Sequence, residues 1–592
     1  MDNARTMAVS DPLYLPFWDD FSFAGSDTLW ISNRGVSINT SWAISAPTIN
    51  VATFDGSDDL GQSYSVSGQN QINDRLTSRT LLLDGLVESD DVVLSFYYQK
   101  QGNGYGSISD ESFSLYFYDA GNAAWELMWQ VQANDISETD EFLHKRVRLE
   151  QRHLTNEFQF RFENFGNPGG IFDAWHLDYV YLNKGRPTGT AEESLGDQAI
   201  ASSPRPLFGD FTAVPKQYLS DWLASDSIRQ TMEVTNFDNS SNPVPIELDY
   251  GYNLYLLTSK DTTVIHQYIE DETLTLPSTI RSRINIPLDS ISAKDLTEIE
   301  SLDTVKLMSE VYLTSIPNLF FPDGESGELV NDRYNFRLND TVRHQFVINN
   351  QLAYDDGSAE LAAGVNNPNG KIAVSYDFGR SGHVIGVAIH FPQMTLGQTQ
   401  INREFDLYIT DRLDNDLLIR EYALYDSTGL SAPSSSSAPN QFTNYMFDRT
   451  VSVNNEFFVV IQQKASDYLP IGLDMNTNQS QRIRYNIANE WIEITDELPG
   501  GSLMIRPIFS KTEITPPSVT KNIVTVFPNP ADQEINIQGH FENYQLISPT
   551  GDKILEGSDS SINARILKDG IYFMQVETSE GIHSQKVIIH HP

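Results

Sequence analysis

Val92-Val93-Leu94-Ser95-Phe96-Tyr97-Tyr98 and, a little further on, Phe113-Ser114-Leu115-Tyr116-Phe117-Tyr118 decide the fold of this chain. Aromatic and β-branched residues recur there with the two-residue period at which side chains leave a strand on opposite faces. Runs of the same kind fill the sequence on both sides. Helical stretches are predicted only at Gln217 to Ser225 and at Ser292 to Glu300. The chain is therefore read as all-β. Strands this short bury their apolar faces only against one another, which makes it a multi-domain chain of β-sandwiches.

At roughly 150 residues per domain, the length of 592 residues predicts about four domains. Breaks in composition place them. Lys184 to Pro206 loses its periodicity and collects Gly, Pro, Ser and Ala, as a linker does. A second change falls at Asn349 to Leu352, and a Pro- and Thr-containing tether runs from Ser510 to Lys521. The expected units are a jelly roll of about a dozen strands over 13–185, an Ig-like sandwich over 205–348, a further sandwich over 352–510 and a small module over 522–592. Ser431 to Asn440, low in complexity between strand-like runs, reads as a long loop.

In the last module Ile523 to Phe527 is stopped by Pro528-Asn529-Pro530, whose prolines withhold backbone donors and force a turn. Five short apolar runs follow, divided by Pro549-Thr550-Gly551, Asp569-Gly570 and Glu580-Gly581. Phe527-Pro528-Asn529-Pro530, Gly551, Leu567 with Gly570-Ile571-Tyr572, and Lys586 in the final strand resemble, in that order, the type A C-terminal sorting domain of the type IX secretion system of Bacteroidetes-type bacteria. The resemblance implies a sorting signal carried by Pro528, Asn529, Pro530, Gly551, Gly570, Tyr572 and Lys586. It also implies the type IX machinery as partner, and a destination outside the cell or on its outer surface. Members of that family cross the inner membrane on a signal peptide and commonly lose the sorting domain at the outer membrane. Met1 to Ser10 holds no apolar h-region, so the natural start is expected upstream of Met1. No window reaches the roughly eighteen apolar residues of a membrane span.

Composition narrows the partners. The chain has no cysteine, which excludes thiolate chemistry and disulfides. Lys plus Arg number 39 against 80 Asp plus Glu, a net charge of −41 that opposes binding to nucleic acid or anionic lipid. Divalent cations are the better charged partners, and an acidic surface also keeps an exported protein soluble.

Leu15-Pro16-Phe17-Trp18-Asp19-Asp20-Phe21, Ala52-Thr53-Phe54-Asp55-Gly56, Ser95-Phe96-Tyr97-Tyr98-Gln99 and Trp175-His176-Leu177-Asp178-Tyr179-Val180 resemble the MAM-like, concanavalin-A-like domains of exported Bacteroidetes proteins. In such domains acidic residues of the first and last strands meet at a cation. The resemblance makes Asp20 and Asp178 candidate ligands of a structural calcium, with Asp19 as alternate. The plainer readings are two solvent-facing strand residues, or an Asp178 paired with an Arg. Lectin-like jelly rolls also stack sugars on exposed aromatics. Trp18, Trp30, Trp42, Trp125, Trp129 and Trp175 are available for this, although aromatics on strands are usually core, and the even spacing of Trp125 and Trp129 places them on one face as buried neighbours.

Asp355-Asp356-Gly357 reads as an Asp-Gly turn, with a cation loop as the alternative. Gly102 to Gly106 precedes a strand, so no helix N-terminus awaits a phosphate. No zincin, serine-hydrolase or P-loop motif occurs, and the eleven histidines are scattered, His590 and His591 at an expectedly frayed end. Three readings remain: a non-catalytic exported protein that adheres to a glycan or a surface protein, a polysaccharide-active enzyme with a concealed carboxylate pair in the first domain, and a purely structural surface protein.

Overall fold

The computed structural model describes residues 12–591 apart from 24–27, 59–62, 66–68, 105–109, 138–140, 171–172, 189–196, 205–206, 224–228, 238–245, 258–261, 271–273, 277–280, 288–304, 316–335, 393–402, 434–439, 467–468, 495–499, 516–523 and 579–580. The chain falls into two compact units, Met1–Ile514 and Thr515–Pro592.

Eleven strands open the first unit: β1 (Phe17–Asp19), β2 (Trp30–Arg34), β3 (Ser37–Asn39), β4 (Val51–Phe54), β5 (Gln71–Ser78), β6 (Val93–Lys100), β7 (Ser112–Asp119), β8 (Ala124–Gln132), β9 (Leu143–Arg148), β10 (Phe160–Gly166) and β11 (Trp175–Asn183). One sheet runs β3-β4-β11-β6-β9 with β1 added to β11, and the other runs β2-β5-β10-β7-β8. The chain thus shuttles between sheets, as the short alternating runs require. On β7 the period of two is plain: Phe113, Leu115 and Phe117 are fully buried between the sheets, and Tyr116 and Tyr118 stand half-exposed on the other side. Rings fill the interior, with Phe113 stacked on Trp175 at 5.7 Å and edge-on to Phe54 at 5.0 Å.

Within the stretch read as a linker, residues described on either side of 189–196 are instead seated. Gln198–Ile200 is a buried strand, β12, pairing with β13 (Arg229–Asn236). Arg186, 2% exposed, donates to the carbonyls of Val93 and Tyr181 at 2.8 Å each. Ala199 and Phe237 belong to the hydrophobic core of the first sandwich, Phe237 lying 4.2 Å from Tyr179. A three-residue strand is too short to show a period, and this concealed it.

The remainder of this unit is two pairs of sheets. Three strands, β12, β13 and Ser282–Pro287, face five that include Ile246–Leu257 and Val305–Ser315. Beyond them a seven-stranded sheet is built on the long antiparallel pair Lys371–His390 and Phe442–Gln463. One hydrophobic cluster runs unbroken from Ile200 to Phe509 across both pairs, with Phe211 stacked on Tyr354 at 4.6 Å. Of the predicted helices, the first is a 3-10 turn, Lys216–Tyr218, leading into Leu219–Leu223. The second lies outside the described residues.

The second unit is a small sandwich of its own. Thr525–Phe527, Glu534–Gln538 and Ser561–Asn563 form one sheet, and Asn543–Ile547, Lys553–Gly557, Gly570–Thr578 and Gly581–Ile589 form the other. Among the described residues, its core from Val524 to Ile589 is made within this unit.

Candidate functional site

The outward face of β2-β5-β10-β7-β8 carries a trough of about 330 Å³. Register builds it. Ile72, Phe165, Ser112 and Gln132 lie in one cross-strand row, and Arg75, Glu163, Ser114 and Gln130 in the next. Arg161 and Tyr116 begin a third. Ser112 and Ser114 on β7 are small, so the long side chains of the flanking β10 and β8 rise as walls on either side of them. Phe165 and Ile72 form an apolar rim, 37% and 38% exposed. Opposite, the Gln130 amide donates to Ser112 Oγ at 3.3 Å and Ser114 Oγ at 3.0 Å, and Gln132 donates to Gln130 Oε1 at 3.1 Å. At the back Glu163 Oε1 is shared between Arg75 Nε at 2.9 Å and Arg161 Nε at 2.7 Å. Asp110 also lines the trough.

Trp125 and Trp129 do not share a face. The β7/β8 register shifts between Leu115 and Tyr116, leaving an extra residue on β8. Trp129 therefore turns inward, edge-on to Phe96 at 5.2 Å and Tyr98 at 4.8 Å. Trp125 turns outward, beside Tyr118 at 5.4 Å, with the Arg161 guanidinium 4.2 Å above its ring. A bulge inverts parity, and nothing in the spacing of the two residues announces one. Trp18, Trp30 and Trp175 are core, and Trp42 packs against the second hydrophobic cluster.

The structure does bring Asp20 and Asp178 together, both fully buried. Neither faces solvent. Asp178 takes the Thr48 N–H at 2.9 Å, the Thr48 hydroxyl at 2.8 Å and the Tyr179 N–H at 2.6 Å. Asp20 takes the Ser22 hydroxyl at 2.7 Å and the Asn339 amide at 2.9 Å. The alternate, Asp19, is committed to Trp30 Nε1 at 2.7 Å. Tyr179 sits at φ 48°, in a bulge against β6. This kink sends its hydroxyl to Asp197 at 2.6 Å, and Asn339 joins Asp197 to Asp20 through a second bond of 3.2 Å. Asp20 just after β1, Asp178 and Tyr179 on β11, Asp197 just before β12 and the turn Phe336–Asp340 thus form one buried polar junction.

Burial pushes all four carboxyls of the junction up. Asp178 stands well above its ordinary value, its neighbour Asp20 adding to the effect of burial, while Asp197 rises to about 7 and Asp340 to about 8. Arg337 acts against the rise at Asp340. The surroundings offer oxygen donors, as a hard cation needs. Among the described residues, however, no three His, Cys, Asp or Glu side chains converge to hold a metal ion.

A second carboxyl pair lies in the same sandwich. Asp74 accepts the Asp55 N–H at 2.6 Å and the Tyr64 hydroxyl at 2.7 Å, and burial lifts Asp55 to about 7 and Asp74 to about 8. Neither lines the trough. At 355–357 the Asp-Gly turn is what forms: Gly357 has φ 101°, Ser358 N–H donates to Asp356 at 2.9 Å, and Asp355 is spent on Arg506 at 3.0 Å.

In the C-terminal unit the motif residues build turns and a strand edge. The Asn529 side chain donates to the Lys586 carbonyl at 2.7 Å and accepts the Ile588 N–H at 2.8 Å, pinning the Pro-Asn-Pro turn to the last strand. Gly551 takes φ 89° in the turn closed by its N–H to Ser548 O at 2.9 Å, and the Tyr572 hydroxyl donates to the Lys568 carbonyl at 2.9 Å. The end of the chain is held as well, the His591 N–H reaching Asp569 at 3.2 Å. Residues 525–590 match the family model of the secretion system C-terminal sorting domain. The tail is a sorting domain. A sorting domain of this type directs export through the type IX system, to the cell surface or beyond.

No curated protein matches the sequence. Solved structures similar to parts of the chain ahead of the sorting domain include three worth stating. The tandem CBM22 modules of Paenibacillus barcinonensis Xyn10C share 10% identity over 52% of this chain and 98% of that one, at a TM-score of 0.19. The mannan-recognising module TmCBM27 shares 11% over 29% and 96%, at 0.19. The glycoside hydrolase domain of Endo-D from Streptococcus pneumoniae R6 shares 11% over 56% and 43%, also at 0.19. At these scores they decide nothing about this chain. No helix among the described residues is long and apolar enough to cross a membrane.

Proposed function

We propose that this is an exported, non-catalytic protein that binds a glycan in the outward trough of its first sandwich. The observation that carries the reading is the make-up of that trough. An apolar rim of Phe165 and Ile72 faces a ladder of amides and hydroxyls from Gln130, Gln132, Ser112 and Ser114. A pyranose has the matching character, with C–H groups on its faces and hydroxyls around its edge, and concave sites with a few placed polar groups are where such ligands lodge. Pro528, Asn529, Pro530, Gly551, Gly570, Tyr572 and Lys586 are the residues proposed to present the tail to the export machinery. Calcium at Asp20 and Asp178 belongs to the same proposal, supported by their shared burial and by the Thr48 and Ser22 hydroxyls beside them.

A glycan array probed with the whole chain tests the reading, and retention on at least one class of oligosaccharide is the expected outcome. The whole chain is required because Ala199 and Phe237 complete the core of the first sandwich. Silence across the array, with the protein folded by circular dichroism, removes the proposal. Assaying the retained polysaccharide for new reducing ends addresses the enzyme reading, and none are expected.

A further inference from the structure

We propose that the trough selects uncharged polysaccharide and rejects uronates and sulfated glycans; this rests on the glycan reading above. The two guanidiniums at the back of the trough are already spoken for. Arg75 and Arg161 reach the same Glu163 oxygen, at 2.9 and 2.7 Å, and Arg161 also lies over the Trp125 ring at 4.2 Å and the Tyr116 ring at 5.6 Å. A carboxylate entering the trough would compete with Glu163 for both cations, and Asp110 would repel it. Two positive and two negative groups line or back the site, so its local charge cancels. The remainder of the chain, at −41, adds a repulsive field within about a Debye length of 8–10 Å.

An uncharged sugar meets no such opposition. Each hydroxyl both donates and accepts, and the floor offers both roles side by side: Gln130 and Gln132 amides, Ser112 and Ser114 hydroxyls and the Glu163 carboxylate. The ion pair thus serves as a fixed donor–acceptor array and not as a bait for anions.

The test is affinity electrophoresis and calorimetry of the whole chain with mannan, xylan and mixed-linkage glucan against polygalacturonate and heparin, at low and high sodium chloride. Binding to at least one uncharged polymer is expected, changing less than about twofold with salt, with neither polyanion bound. Glu163→Gln frees both guanidiniums, so polygalacturonate binding should appear in that variant and vanish at high salt. Polyanion binding by the unaltered chain, lost with salt, overturns the selectivity and leaves the glycan reading standing. Failure to bind any polymer overturns both. A folded Glu163→Gln protein that gains no polyanion affinity overturns the role given to the shared carboxylate.

Discussion

In EDTA, the melting temperature of the full chain is expected to fall steadily as pH rises from about 5 to about 8.5. The cause is the junction of Asp20, Asp178, Asp197, Asp340 and Asn339. Its carboxyls stand above their ordinary value near 4, with Asp197 at about 7 and Asp340 at about 8, so the folded chain holds protons that the unfolded chain gives up. A raised carboxyl contributes fully below its unfolded pKa and loses that contribution as pH climbs through the folded one. Each net proton retained is worth about 1.4 kcal/mol per pH unit. Asp340→Asn removes one titrating group and should flatten the slope. Calcium gives the second arm, because a cation and protons compete for the same oxygens. If Asp20 and Asp178 are ligands, millimolar calcium raises the melting temperature at the alkaline end and leaves it unchanged near pH 5. A melting temperature that calcium does not move at any pH counts against both residues as ligands. One that is flat or rises with pH in EDTA contradicts the protonated junction.

Removing residues 522–592 is expected to abolish export and leave folding of the remainder intact. In a host with working type IX machinery, and behind that host's signal peptide, the truncated chain should stop in the periplasm, with the secreted or surface fraction down by at least about tenfold on fractionation and blotting. Its melting temperature should stay within about 2 °C of the full chain's main transition, since the cores of the two units share no residue. Equal surface delivery with and without the tail would contradict the role of the sorting domain.

Local pattern carried the fold class and the tail. Strands such as Phe113–Tyr118 show their inner face in every second residue, and Pro528-Asn529-Pro530 with Gly551 and Gly570 are backbone demands written in residue type. What was hidden is long-range or depends on parity. The extra β8 residue that parts Trp125 from Trp129 leaves no mark in composition. The junction joins Asp20 to Asn339 across 319 positions, and no spacing rule reaches that far. The resemblance placed Asp20 and Asp178 together, and the structure added Asp197, Asn339 and Asp340 from segments read as a linker and as an Ig-like sandwich. The trough was illegible for a similar reason. Its residues are ordinary Ser, Gln and Arg, and only the register of β5, β10, β7 and β8 puts them side by side. Arg186 and Ile200 show that residues within a Gly- and Ser-rich stretch can still be buried.

The most direct measurement is a pair of binding isotherms on the polysaccharide that the whole chain retains, one for the unaltered protein and one for Ser114→Trp. Ser114 forms the floor between Glu163 and Gln130, so an indole there fills the trough while the inward face of β7 keeps Phe113 and Leu115. Affinity is expected to fall at least about tenfold with an unchanged melting transition. Undiminished affinity in a folded Ser114→Trp protein would place the ligand elsewhere and contradict the trough as the binding site.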